Sequence, residues 1–440
     1  MAEPGIAPDS AARCIIVIGT RPEAIKVVPV ILELQRSPYI EPLVVSTGQH
    51  RELVASVLGL AGIEPDVTLD AGREGQTLNS ITHAVIEGFE ELLYDLRGGA
   101  PERRTRPRLT SPFSKGRPQF PGFTMVHGDT TSALAAGLAS AYARLPVFHL
   151  EAGLRTGNLL SPFPEELNRR LLSHLSSFHL APTLANKESL IREGIKGDTI
   201  FVTGNTGIDA LQWAAALDQP WPDPRLEGID DGRIVIAVTA HRRENWGDGL
   251  RGIAEGIARI CRARPDITVV LPLHPNPRVR AELTPVLDAL PNVILTDPLD
   301  YVAFARLLKV ATLAITDSGG IQEEGPSIGT PVLVCRETTE RPEGVEAGTL
   351  RLVGTDPDVI EQEALALLDN PLEYARMRAA ENPFGDGHAA ERIVGAFEHL
   401  IFGGPPPRPF GSDFSRLSVI EMAGYETFDE EDETVEGAEE

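Results

Sequence analysis

Short, continuous apolar runs alternate along the chain with longer stretches in which apolar residues recur every three or four positions. The first run, Cys14-Ile15-Ile16-Val17-Ile18, ends at Gly19 and predicts a strand buried on both faces. A helix is expected to start near Pro22, since proline suits a first helical turn. Further strands are predicted at 43–47, 123–127, 146–150 and 199–203, with helices near 51–60, 77–96, 130–143, 165–176, 183–193 and 205–217. Such a rhythm implies a parallel sheet with crossover helices. Pro220, Pro222 and Pro224 interrupt it, so 218–232 reads as an interdomain linker. The alternation then restarts with strands at 233–239, 267–273, 292–296, 312–316 and 331–335, and a last helix near 387–402 that could return to the first domain.

The expected fold class is therefore α/β, with two Rossmann-like doubly wound domains at 13–217 and 233–402. A length of 440 residues agrees with two cores rather than one. Residues 1–12 read as a flexible leader, 97–122 as a basic insertion and 403–440 as an acidic disordered tail. The insertion carries seven basic residues and one acid between Arg97 and Gln119. Residues 411–440 carry a net charge of −10 out of −24 for the whole chain, so −14 remains on the rest. An acidic protein of this kind lacks the basic footprint that nucleic acid requires.

Three cysteines, Cys14, Cys261 and Cys335, lie in or beside apolar runs and read as buried thiols, with neither a disulfide framework nor a zinc pattern. No run is long enough to cross a membrane and no secretory signal opens the chain, so a cytoplasmic location is expected.

Ligands of open parallel sheets gather beyond the carboxyl ends of strands. Four predicted strands end in dense chemistry: Gly19-Thr20-Arg21-Pro22-Glu23 with Lys26, His127-Gly128-Asp129-Thr130-Thr131, Glu151-Ala152-Gly153-Leu154-Arg155, and His241-Arg242-Arg243-Glu244. Any one could be a helix cap or a surface ion pair. Four together at one sheet edge predict an active site. In the second domain Asp317-Ser318-Gly319-Gly320 follows a strand and opens a helix, a geometry that aims free N–H groups at phosphate. The charged run Glu340-Arg341-Pro342-Glu343 stands beyond the next strand. No G-x-G-x-x-G lies between strand and helix, so a dinucleotide is not indicated. Proton transfer or glycosyl-bond chemistry fits the carboxylates and histidine better than hydride transfer.

These residues resemble the non-hydrolysing UDP-N-acetylglucosamine 2-epimerases. The resemblance rests on Gly19-Thr20-Arg21-Pro22-Glu23-Ala24-Ile25-Lys26, Gln49-His50-Arg51-Glu52, Val126-His127-Gly128-Asp129-Thr130-Thr131, the segment from Glu151 to Gly157, Pro164-Glu165-Glu166, Gly204-Asn205-Thr206, His241-Arg242-Arg243-Glu244 and the segment from Asp317 to Glu324, spread over about 14–402. It implies a glycosyltransferase-B type fold with the active site in the interdomain cleft and a homodimer; no cofactor and no metal-ligating residues are expected. The implied reaction is reversible conversion of UDP-N-acetylglucosamine into UDP-N-acetylmannosamine through elimination of UDP, feeding cell-surface polysaccharide synthesis. Carried over by motif, Asp129, Glu151, Glu165 and His241 are the catalytic set. Arg21, Lys26, Arg155, Ser318, Gly319, Gly320, Glu324 and Arg341 are expected to bind substrate. Gln49, Gln76, Arg242 and His274 are the expected contacts of a second, activating UDP-sugar. A UDP-sugar glycosyltransferase of the same fold and a hydrolysing epimerase are the alternatives.

Overall fold

The first sheet assembles from strands β1 (Ala12–Ile18), β2 (Ile40–Ser46), β3 (Val67–Thr68), β4 (Leu109–Thr110), β5 (Phe120–His127), β6 (Val147–Leu150), β7 (Phe178–Ala181) and β8 (Ile200–Val202). They are seen in a computed structural model that describes residues 11–73, 75–96, 109–110 and 120–411. The order across the sheet is β3-β2-β1-β5-β6-β7-β8, with β4 beside β5, and each pairing is parallel. A second parallel sheet holds β9 (Ile234–Thr239), β10 (Ile267–Pro272), β11 (Val293–Thr296), β12 (Leu313–Thr316), β13 (Val332–Val334) and β14 (Leu350–Leu352), in the order β11-β10-β9-β12-β13-β14. Each sheet reverses its winding once, between β1 and β5 and between β9 and β12. Those two switch points are where a doubly wound sheet leaves a crevice for ligand.

Apolar burial holds each unit together. Ile15 and Ile16, on opposite faces of β1, are both fully buried, as expected of a central parallel strand. Cys14, Cys261 and Cys335 are buried as well. The last helix, Ala389–Phe402, packs on the first sheet: Phe397 meets Phe123 and Phe148 at centroid distances of 5.0 and 4.8 Å. Each such ring, taken out of water, contributes about 2–3 kcal/mol. The helix ends at Gly403, whose φ of 75° supplies the left-handed cap.

The segment expected as a linker is packed. Trp221, Leu226 and Ile229 are buried with Val235 and Ala237 of β9 in the core of the second unit, and the guanidinium of Arg306 lies 4.3 Å above the Trp221 ring. Three prolines gave the segment an open look; its apolar residues decide where it sits. The helix Thr206–Ala216 joins that same core through Leu211 and Ala214, so it bridges both units. Other boundaries shift too. Ala12 already belongs to β1, residues 120–122 belong to β5 rather than to the basic insertion, and Phe410 donates its N–H to Val202 while Arg392 covers its ring. Residues 1–10 of the expected leader, 412–440 of the expected tail and nearly all of the insertion lie outside the described residues. Among the described residues no helix is long and apolar enough to cross a membrane.

Candidate active site

The β1 switch point is built around Glu23. Gly19 leaves β1 where a Cβ would come within 2.5 Å of Ser132 Oγ, so only glycine lets the two loops approach. Thr20 caps the helix Arg21–Leu34 in a capping box, with Glu23 accepting from the N–H groups of Gly19 and Thr20 at 3.0 and 2.6 Å. The other oxygen of Glu23 accepts from Thr130 Oγ1 at 2.7 Å, and Thr130 caps the helix that follows β5. One buried carboxylate thus sews together the loops on both sides of the switch. Burial pushes it above the ordinary carboxylate range, against the hydrogen bond from Thr130 and the field of His127.

Glu151 follows β6 in the left-handed region, with a φ of 56° that a non-glycine residue rarely adopts. Its carboxylate hydrogen-bonds Lys26 and stands 3.3 Å from His127 Nε2. Burial by itself would raise this carboxyl, but the Lys26 charge and His127 outweigh it and hold it far below the usual range. Burial would likewise strip the proton from Lys26, and Glu151 more than offsets that. Asp129, after β5, pairs with the buried Arg169 at 2.6 Å, and its carbonyl accepts from Asn168 Nδ2 at 2.8 Å. Both partners sit on the helix Glu165–Leu175, which carries Glu165 as its first residue.

In the second unit Asp317, fully buried after β12, accepts from the N–H groups of His241 and Arg242 and from Asn245 Nδ2. It thereby fixes the β9 loop against the start of the helix Gly319–Ser327. A Cβ on Gly319 would lie 3.0 Å from both Arg242 Nη2 and Arg341 Nη1, so two guanidinium groups converge on that helix N-terminus. Dipole, N–H groups and two cations make an anion clamp. His241 stacks on His274 with ring centroids 5.4 Å apart. Burial lowers its affinity for a proton, with help from His274 and Arg242 and against Asp317.

The two switch points are tied across the gap. Asn205 Nδ2 donates to Glu323 at 2.8 Å, and Lys26 feels the charges of both Glu323 and Glu324. Glu324 is pushed up to about 7 by burial and by Glu323, against Lys26 and Arg341.

Residues 117–398 match the family model described as UDP-N-acetylglucosamine 2-epimerase. The UDP-N-acetylglucosamine 2-epimerase of Escherichia coli K12 is 44% identical over 395 residues, covering 88% of this chain and 98% of that protein. The chain belongs to the UDP-N-acetylglucosamine 2-epimerase family. As a member of that family it is an isomerase with the glycosyltransferase-B type fold. A crystal structure of a UDP-N-acetylglucosamine 2-epimerase superposes with a TM-score of 0.79 at 40% identity, covering 91% of this chain and 99% of that one. The Neisseria meningitidis enzyme, solved bound to UDP-GlcNAc, gives a TM-score of 0.67 at 41% identity, covering 88% and 99%.

Seen against these epimerases, the residues singled out by motif divide into groups. Lys26, Asp129 and Glu151 gather at the first switch point, and His241, Ser318, Gly319, Gly320 and Arg341 at the second. Arg242, expected at an activator site, reaches the anion clamp. His274 lies with His241, Arg242, Trp246 and Asn276 around a cavity of about 440 Å³, while Gln49 and Gln76 line another of about 400 Å³ with His50 and Arg73. Arg21 and Glu165 are half-buried and make no side-chain hydrogen bond or ion pair among the described residues.

Arg155, expected to bind substrate, is held by Glu193 at 2.7 and 2.8 Å and donates to Ser173 and to the Leu154 carbonyl, so most of its guanidinium is engaged within the fold. Glu23 and His127 stand inside the strand-end motifs but were given no role there, and Arg169 lies outside every motif; the position of Glu23 as the third helical residue after a threonine cap is the signal for its structural part.

Proposed function

We propose that the protein interconverts UDP-N-acetylglucosamine and UDP-N-acetylmannosamine by inverting C2 of the sugar. The observation that carries this reading is one cleft flanked by an acid/base set around Lys26, Glu151 and Asp129 on one side and an anion clamp at Gly319 on the other. The substrate named for the meningococcal relative, a UDP-sugar, has a part for each side. Its diphosphate suits the clamp, and its sugar would then face the carboxylates.

The C2–H bond adjoins no carbonyl, so plain deprotonation is too slow. Breaking the C1–O bond with its electron pair leaving on the diphosphate, while a carboxylate takes the C2 proton, gives UDP and a 2-acetamidoglucal. Return of UDP to C1, with a proton delivered to the opposite face of C2, gives the epimer. Bases and acids are needed on both faces of the ring. Glu151 stays ionised under the charge of Lys26, and Asp129 and Glu165 project from a neighbouring loop and helix, so three carboxyl groups stand ready to exchange protons with the sugar. The clamp would receive the charge that builds on the leaving diphosphate, with His241 beside it as a donor and Glu324 accepting from the ribose. A homodimer, a second UDP-sugar held by Gln49, Gln76, Arg242 and His274, and a product destined for cell-surface polysaccharide complete the reading.

The test is substitution. Asp129→Asn, Glu151→Gln and Glu165→Gln should each slow turnover by about 10²-fold or more while UDP affinity and the fold are retained. Turnover near that of the parent in any one would remove that residue from the mechanism.

A further inference from the structure

Glu323 bonds both to the anion clamp and to the two stretches where the chain crosses between the units, which together form the hinge. One carboxylate oxygen accepts from Arg341 Nε at 2.6 Å, the other from Asn205 Nδ2 at 2.8 Å, and the backbone carbonyl accepts from Asn382 Nδ2 at 3.0 Å. Arg341 is a clamp residue, its Nη1 lying over Gly319. Asn205 caps the helix Thr206–Ala216, by which the chain leaves the first unit, and Asn382 stands in the segment by which it returns to the helix Ala389–Phe402. A second bond joins those two crossings directly, from Asn205 N–H to the carbonyl of Phe384 at 3.1 Å. The capped helix also abuts the acid/base set: a Cβ on Gly207 would lie 3.6 Å from Lys26 Cε.

We infer that Glu323 is a positioning residue which couples occupancy of the anion clamp to the hinge, and so to the placement of Lys26 and Glu151; the inference rests on the epimerase reading only for its effect on turnover. The chemistry is specific to a carboxylate here. Both oxygens accept, each from a donor on a different element, one of them charged. A diphosphate drawing Arg341 toward Gly319 would pull on Glu323, and through it on Asn205 and the first turn of the crossing helix. Glutamine cannot reproduce this, because its amide nitrogen would face either Arg341 or the Asn205 amide donor with a like group. Loss of the negative charge also leaves Arg341 more positive toward a diphosphate, so clamp affinity should not fall when the coupling does.

The direct test reads the coupling without relying on turnover. The Gly207 N–H donates to Asn205 Oδ1 at 2.9 Å, so its exchange with deuterated water reports how firmly that cap is held. In the parent, saturating UDP should slow exchange in the first turn of the helix Thr206–Ala216 several-fold. In Glu323→Gln, UDP should bind as tightly as in the parent or more tightly, measured by calorimetry, with that protection lost and kcat reduced about tenfold. Glu323→Asp, which keeps the charge but cannot span both donors, should lose the same protection. Asn205→Ala combined with Glu323→Gln should be no slower than Glu323→Gln alone. Equal protection by UDP in parent and Glu323→Gln, no protection in the parent, or a fall in UDP affinity matching the fall in kcat would overturn the inference. If the parent bound UDP with the expected protection yet failed to epimerise, the functional reading would fall and the coupling would stand.

Discussion

Replacing Lys26 by methionine strips the counter-charge from Glu151 and leaves a carboxylate in a left-handed loop beside His127. The pair is mostly shielded, with side-chain exposures of 28% and 21%. Removing one partner of a buried pair costs about 3–5 kcal/mol, and residual contact with water favours the lower end, ~3 kcal/mol. For a unit of roughly 200 residues that corresponds to a fall of about 6–12 °C in its melting temperature. The sign with pH follows from Glu151. Its folded carboxyl lies below the ordinary value of 4.5, so the pair's stabilisation is present above that value and is lost as pH falls toward the folded one. The gap between Lys26→Met and the parent should therefore be full at pH 7 and shrink below about pH 4.5. Adding Glu151→Gln removes the stranded charge, so the double variant should recover most of the lost stability while remaining inactive. Calorimetric melts from pH 3 to 8 read all of this. A Lys26→Met protein as stable as the parent at pH 7, or a double variant no more stable than the single one, would refute the reasoning.

Two other substitutions carry a pH signature. Asp209 accepts from the Ala390 N–H at the start of the last helix, and burial, with Asp386 nearby, raises its carboxyl to about 6. A folded value above the unfolded one means that stability falls as pH rises from about 4 to 6; Asp209→Asn, which keeps the acceptor, should be level with the parent at pH 4 and more stable by up to about 3 kcal/mol at pH 8, as urea unfolding would measure. Glu324, at about 7, is half-protonated near neutrality and accepts best from ribose hydroxyls when ionised, so UDP affinity should rise between pH 6 and 8 with proton release. Calorimetry on Glu324→Gln should find that dependence reduced; an undiminished one would contradict the placement of the ribose.

How far the chain could be read in advance depended on whether apolar runs were interrupted. Central strands such as β1 and β9 hold continuous apolar runs, Cys14–Ile18 and Ile234–Val238, and were legible to within two residues. β7 was not, because His179 stands in the middle of Phe178–Ala181; its ring is buried, with Nε2 bonded to the Ser173 carbonyl. β14 hid in the same way behind Arg351, which Glu363 and Glu373 neutralise. Tertiary partners erase the polarity that a linear reading takes at face value. The site divides along the same line. Loops at strand ends announce themselves by position, so Asp129, Glu151, His241 and Gly319 could be found. The pairing of Arg155 with Glu193, 38 residues away, left no trace in the linear order. Arg169, within a helix of ordinary surface composition, gave no sign that it turns inward to Asp129.

The most direct test of the central claim is proton NMR of the purified protein with UDP-N-acetylglucosamine in deuterated water, without nicotinamide, following both epimers and the C2 proton. The manno epimer with deuterium at C2 is expected, together with washout of the C2 proton from recovered substrate. A sugar that stays unchanged until an acceptor is added, or a manno epimer that keeps its original C2 proton, would contradict it.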